Sequence, residues 1–159
     1  VISKLAERNM LPGIYFIFSR RGCDKALENI KDLTLVSYSE ASMISQKLDV
    51  YLKNNQEAIK DKSQCEALKR GIASHHAGLL PAWKELVEEL FQQGLIKVVF
   101  ATETLAAGIN MPARTTVISS LSKRTEDGHR LLFSSEFLQM SGRAGRRGKD
   151  TQGYVVTLQ

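Results

Sequence analysis

The densest chemistry lies in Gln139-Met140-Ser141-Gly142-Arg143-Ala144-Gly145-Arg146-Arg147-Gly148, with three arginines and three glycines in ten positions. Arginine carries a planar, permanently charged fork that matches the oxygens of a phosphate. Gln139, Arg143 and Arg146 stand at i, i+4 and i+7, so a helical backbone would present all three on one face. Gly142 and Gly145 fall one turn apart on the neighbouring stripe. A glycine inside a helix costs roughly 1 kcal/mol relative to alanine, so two of them point to something that approaches the backbone closely. A basic, solvated helix end followed by a glycine-rich loop accounts for the charge equally well.

Two further stretches carry groups suited to phosphate. Ser19-Arg20-Arg21-Gly22 follows the apolar run Ile14–Phe18. A strand leading through a polar turn into a helix leaves free backbone N–H groups where an anion can bind; Ser19 also has the right side chain to cap that helix, and the two roles are compatible. Thr102-Glu103-Thr104 leaves the end of the run Ile96–Ala101. In an open parallel sheet, ligands gather beyond the carboxyl ends of the strands, where hydroxyls of Thr102 and Thr104 can reach a phosphate or ribose. Helix capping by the threonines and a turn role for Asn110 are the plainer alternative. His75-His76 does not make a metal pair: neighbours on a strand point to opposite faces, and the one other histidine is His129.

Elements must position these groups. Ser3–Asn9 reads as a short helix, and Ile14–Phe18 as a buried parallel strand, apolar throughout. Cys23, Ala26, Leu27 and Ile30 form an apolar helical stripe. Thr34–Ser37 has the pattern of a short strand, Ser39 of a cap for a helix carrying Ile44, Leu48, Tyr51 and Leu52, and Gln56–Arg70 of a weaker helix. Gly71–His76 is expected as a strand. Trp83, Leu86, Val87, Leu90 and Phe91 mark a helix opened by Pro81 and closed by Gly94. Ile96–Ala101, Thr115–Leu121 and Tyr154–Leu158 complete the strands. Between the last two, the basic segment 122–130 contains Asp127-Gly128, a tight-turn signal, and Ser134 or Ser135 can cap the helix that runs into the arginine cluster.

The order of residues says more than the charge. Gln139–Gly148 resembles motif VI of superfamily 2 helicases, in the form carried by superkiller-type DExH-box RNA helicases. Val98-Val-Phe-Ala-Thr-Glu-Thr-Leu-Ala-Ala-Gly-Ile-Asn-Met-Pro112 resembles motif V, and Phe16-Ile-Phe-Ser-Arg-Arg21 resembles motif IV. The three stand in family order over nearly the whole chain, nearest to the cyanobacterial and chloroplast branch. The resemblance implies an α/β, RecA-like three-layer fold over residues 1–159, with a mostly parallel central sheet flanked by helices. It makes Arg143 and Arg146 arginine fingers, and places Gly108, Asn110, Gln139, Arg143 and Arg146 toward ATP, whose magnesium is held mainly by a first RecA-like domain of the same parent chain. It assigns Ser19, Arg20, Gly78 (in His-His-x-Gly-Leu), Thr102 and Thr104 to the nucleic-acid backbone. RNA is the implied partner, although backbone contacts separate RNA from DNA poorly. Segment 122–130 lies where related helicases carry a strand-separating β-hairpin; a surface loop is the alternative. The implied location is the bacterial cytoplasm or chloroplast stroma.

The chain lacks a GxxxxGK[ST] phosphate cradle and a DExH sequence, which NTP hydrolysis requires. It is therefore expected to be half of a motor, inactive alone; the alternatives are a non-catalytic nucleic-acid-binding module with a helicase-derived fold and a DNA helicase domain of the same superfamily. Starting at Val1 and stopping directly after a strand, it reads as a piece of a longer protein. Its 159 residues suffice for one domain, and 43% hydrophobic with 25% charged residues suits a globular one. A net charge of +5 favours a polyanionic partner. No apolar run nears the ~18 residues of a membrane span. Cys23 and Cys65 lack metal-ligand spacing and read as reduced thiols, Cys23 as a core residue.

Overall fold

The computed structural model describes residues 1–56, 61–108 and 110–158. In chain order the elements are α1 (Ile2–Glu7), β1 (Gly13–Phe16), α2 (Arg20–Asn29), α3 (Tyr38–Asn54), α4 (Lys62–Lys69), β2 (Ile72–His75) and α5 (Pro81–Gln92). There follow β3 (Val98–Ala101), α6 (Thr104–Gly108), β4 (Thr115–Ile118), β5 (Ser122–Thr125), β6 (Gly128–Leu131), α7 (Ser134–Ser141) and β7 (Tyr154–Thr157). Five strands form one sheet in the order β2-β3-β1-β4-β7, and every neighbouring pair is parallel. Strands β5 and β6 form a separate antiparallel hairpin.

The sheet is apolar on both faces because both are covered. Ile14, Phe16, Ala73, Val99 and Ile118 pack with Ile44 and Leu48 of α3, the Trp83 stripe of α5 and Met140 of α7. Ile72, Val98, Phe100 and Val117 face the other way, toward Leu5 of α1, Cys23 and Leu27 of α2 and Ala67 of α4. Two helical layers thus sandwich a parallel sheet, the expected three-layer α/β arrangement. Cys23 is fully buried in the second core, and desolvation pushes its thiol up to about 12.

Four local expectations are corrected. Residues 34–37 form no strand: the Leu35 N–H is taken by the Arg70 carbonyl (2.9 Å), and the Arg70 guanidinium donates to the carbonyls of Ile30 and Leu33 (2.7 and 3.0 Å), tying this connector to the end of α4. Helix α3 is capped by Ser37 rather than Ser39. The Ser37 hydroxyl accepts from the Glu40 N–H, and the Glu40 carboxylate accepts from the Ser37 N–H, a reciprocal box that Ser39 cannot make because the residue three positions on is Ser42. Neither Ser134 nor Ser135 caps α7; Glu136 reaches back to accept the Phe133 N–H at 2.9 Å. Of the helix expected over Gln56–Arg70, Lys62–Lys69 is helical and positions 57–60 lie outside the described residues.

A fifth correction bears on function. The arginine cluster is not a continuous helix. α7 stops at Ser141, with the Gly142 N–H donating to the Leu138 carbonyl at 2.8 Å. Beyond it the backbone pairs with Ala113: the Ala113 N–H donates to the Arg143 carbonyl (2.9 Å) and the Gly145 N–H to the Ala113 carbonyl (2.7 Å). Gly145 has φ 86, a conformation glycine adopts freely and other residues rarely do. Gln139, Arg143 and Arg146 therefore do not share a helical face.

Candidate nucleotide and nucleic-acid interface

The pairing of Ala113 with the turn after α7 joins the two stretches singled out for nucleotide contact. Arg143 reaches across to α6 and donates to the carbonyls of Leu105 (3.4 Å) and Ala106. The carbonyls at a helix end lack partners within the helix and carry partial negative charge, so the guanidinium both caps α6 and is held by it. Burial lowers the Arg143 pKa from its ordinary value. Gly108 is the last residue of α6.

Arg146 is fixed differently. Its Nε and Nη2 donate to the two carboxylate oxygens of Asp150 (2.8 and 3.0 Å), and its backbone N–H donates there too (2.9 Å). Asp150 also accepts from Arg114 Nε at 2.9 Å, while Arg114 Nη1 donates to the Asn9 carbonyl. The Asp150 side chain is 1% exposed and the Arg146 side chain 19%. Hydrogen bonding to Arg146 first, then to Arg114, holds the Asp150 carboxyl well below the usual carboxylate range, and the same contact raises Arg146. An open cleft of about 350 Å³ has Arg146, Arg147, Lys149 and Asn110 on its wall together with Phe91, Pro12 and Pro112. Arg147, which a helical spacing would turn away, faces the same cleft as Arg146. Gln139 is an exposed residue of α7.

The close backbone approach expected at both glycines occurs at Gly145, where the partner is Gly153; at Gly142 an added Cβ would meet only the Leu138 and Gln139 carbonyls of its own helix. A Cβ placed on Gly153 would lie 2.5 Å from the Gly145 nitrogen and 2.8 Å from the Ala144 carbonyl carbon. Backbone cannot move aside as a side-chain tip can. Gly153→Ala is expected to cost about 2 kcal/mol by overpacking and to pull Arg146 off its seat; urea denaturation of the variant measures it, and unchanged stability would contradict the contact.

The nucleic-acid candidates collect at the carboxyl edge of the adjacent strands β2, β3 and β1. Ser19, exposed, caps α2 by accepting the Gly22 N–H at 2.9 Å, which leaves its hydroxyl proton available. Exposed Arg20 opens α2, and a Cβ added to Gly78 would touch its Cδ at 3.5 Å, so the turn after β2 lies against the Arg20 stem. His76 ties them together: Gly78 N–H donates to its Nδ1 (3.1 Å), so its other nitrogen carries the proton and donates to Asp24 of α2 (2.9 Å). The Ser74 hydroxyl lies within hydrogen-bond distance of both Asp24 (3.3 Å) and the Gln64 side-chain oxygen (3.0 Å) behind it and can donate its one proton to either. His75 points the other way, to Glu88 of α5 (2.9 Å), and burial lowers its pKa while Glu88 opposes. Thr102 is buried, 8% exposed, its hydroxyl 2.9 Å from that of exposed Thr104; Thr104 is the better placed of the two to meet a ligand.

Segment 122–130 resolves into the hairpin β5–β6. Its cations are not all free to meet a strand: Lys123 and Arg130 both pair with Glu136 on α7, and the Arg130 guanidinium lies 3.8 Å over the Phe133 ring. Arg124 and His129 remain exposed. Hydrogen bonds from Arg130, then Lys123, lower the Glu136 pKa to about 2.

Sequence reasoning missed Asp150, Arg114, Asp24 and Glu136. Asp150 left one sign, an opposite charge four residues after Arg146. The others act across the fold and left none.

A parallel five-stranded sheet covered on both faces by helices is a RecA-like α/β domain. The chain belongs to the helicase conserved C-terminal domain family, whose model matches residues 25–148, and its relatives place it among the superkiller-type DExH-box proteins. It is 53% identical over 155 residues to the chloroplastic DExH-box ATP-dependent RNA helicase DExH15 of Arabidopsis thaliana, covering 98% of this chain and 13% of that protein. It is 46% identical over 164 residues to the probable helicase HelY of Mycobacterium tuberculosis (99% and 18%). With the antiviral helicase SKI2 of Saccharomyces cerevisiae it shares 40% over 162 residues (99% and 13%). The chain thus spans less than a fifth of the length of these relatives. Among the described residues no helix is long and apolar enough to cross a membrane.

Proposed function

We propose that this chain is the second motor domain of an ATP-dependent RNA helicase, supplying arginine fingers to ATP and one wall of the RNA groove. The observation that carries the reading is the seat of Arg146. Its guanidinium is held by a buried carboxylate on the wall of a cleft that also holds Asn110, so it is oriented before any ligand arrives.

The donor set facing that cleft is cationic and amide, which fits a polyphosphate. Magnesium is assigned mainly to the first domain, where it would screen phosphate charge. In this chain Arg146 and Arg143 stabilise the negative charge that builds on the transferring phosphoryl group; preset donors do this without reorganisation at the moment of reaction. Asn110 and Gly108 approach the nucleotide from the motif V side. Ser19, Arg20, Gly78 and Thr104 grip phosphates of the strand, contacts that carry no base information. Because Arg143 caps α6, which begins at the Thr102-Thr104 edge, a shift of Arg143 toward phosphate is felt at the RNA edge through one short helix. The hairpin β5–β6 then acts as the strand separator.

The chain alone has no phosphate cradle, so the purified 159-residue domain is expected to show no RNA-stimulated ATP turnover, and the protein joining it to a Walker A and DExH domain is expected to show it. Phosphate release assays on both decide: turnover by the domain alone would sink the reading.

A further inference from the structure

We propose that Glu136 is the positioning residue that couples the arginine-finger helix to the strand-separating hairpin. The inference rests on the reading of this domain as a motor half with β5–β6 as its wedge.

The hairpin makes its own two-stranded ladder and is not paired with the main sheet. Two antiparallel strands alone are marginally stable in water, so their orientation depends on what fastens them. Glu136 does so from three sides. It accepts from Arg130 of β6 (2.8 Å), it pairs with Lys123 of β5, and it accepts the Phe133 N–H (2.9 Å) that begins its own helix. Arg130 is further pinned over the Phe133 ring. One carboxylate therefore holds both strands of the hairpin and the start of α7. Its side chain is 20% exposed and those of Lys123 and Arg130 are 19% and 30%, so water competes with the clamp only in part.

The other end of the same helix leads into Arg143. α7 runs eight residues, about 12 Å at 1.5 Å per residue, and its buried anchor is Met140, with Phe137 half-buried beside it. A short rigid helix clamped to the hairpin at its start and continued into a finger at its end transmits displacement between them. The contacts of Arg143 with α6 and the hairpin's own ladder do not use Glu136, so cutting the clamp removes only the bond through which one moves the other.

The test uses the full helicase. Glu136→Gln keeps shape and the Phe133 N–H contact but removes the charge that both cations face. The expected result is at least a tenfold loss of duplex unwinding with RNA-stimulated ATP turnover within twofold of the parent. The exchange set Lys123→Glu, Arg130→Glu and Glu136→Arg, which restores opposite charges, should recover a substantial part of the unwinding. Equal losses of unwinding and turnover in Glu136→Gln, or unchanged unwinding, would overturn the coupling. Removing the hairpin tip, residues 125–128, separates the two levels of argument. If tip removal spares unwinding, the wedge reading fails; if it abolishes unwinding while Glu136→Gln does not, the clamp alone fails.

Discussion

ATP turnover is expected to fall about a thousandfold when Arg146 is replaced by alanine in the two-domain helicase, the loss typical of removing an arginine finger. The expectation follows from how the side chain is held. Three of the hydrogen bonds to Asp150 come from Arg146 alone, two of them from its guanidinium, and Arg146 lines the cleft beside Asn110. Ground-state ATP binding is expected to change little, because the first domain holds most of the nucleotide, so kcat falls and KM moves far less. Arg143→Ala is expected to give a similar loss, with an added cost: it frees the Leu105 and Ala106 carbonyls at the end of α6. Arg147→Ala removes a cation from the same cleft but one with no hydrogen-bond or ion-pair partner among the described residues, and a modest loss, well short of a thousandfold, is expected. Single-turnover hydrolysis at saturating ATP and RNA measures all three. Near-normal turnover in Arg146→Ala would refute the finger assignment. Arg146→Lys gives a second check, since an ammonium keeps the charge but cannot fork between both carboxylate oxygens.

Asp150→Ala is expected to destabilise the domain by about 3 kcal/mol. Removing one partner of a buried ion pair costs roughly 3–5 kcal/mol, and the lower end applies because Arg146 and Arg114 keep 19% and 23% of their side chains in water. The pH dependence carries a definite sign. The folded Asp150 carboxyl lies well below the usual range, held there by Arg146 and then Arg114. Its stabilisation is complete above the unfolded carboxylate value near about 4, and fades as pH drops below that value toward the folded one. Glu136, lowered to about 2, adds in the same direction. Urea unfolding from pH 7 down to pH 3 should show the parent losing stability below about pH 4.5 and Asp150→Ala losing less over the same span. Parallel curves for the two proteins would show that Asp150 contributes no linkage.

The two arginines look alike in sequence and are held by unrelated means. Arg143 is seated by carbonyls of a helix that precedes it in the chain, Arg146 by a carboxylate that follows it. A reading based on 3.6-residue spacing gave them one face because it assumed that α7 continues. The backbone donors and acceptors after Ser141 instead found Ala113, and Gly145 supplied the positive φ that the new path needs. Periodicity registers where a helix is allowed, not where a distant partner competes for its hydrogen bonds.

Local signals therefore carried the frame. The unbroken apolar runs at Ile14–Phe18 and Ile96–Ala101 announced strands buried on both faces, the Trp83 stripe announced α5, and Asp127-Gly128 announced a tight turn, because each is decided by residues within a few positions of one another. The chemistry was legible as residue types: hydroxyls and arginines after strands, and an arginine–glycine cluster. The strand order β2-β3-β1-β4-β7 and the convergence of Arg20 with Gly78 through His76 and Asp24 were decided in three dimensions. So were the buried carboxylate under Arg146 and the grip of Glu136 on both hairpin strands. A carboxylate's partner is set by which side chains the packed layers bring within about 3 Å, and pairing of that kind leaves no period in the sequence to read.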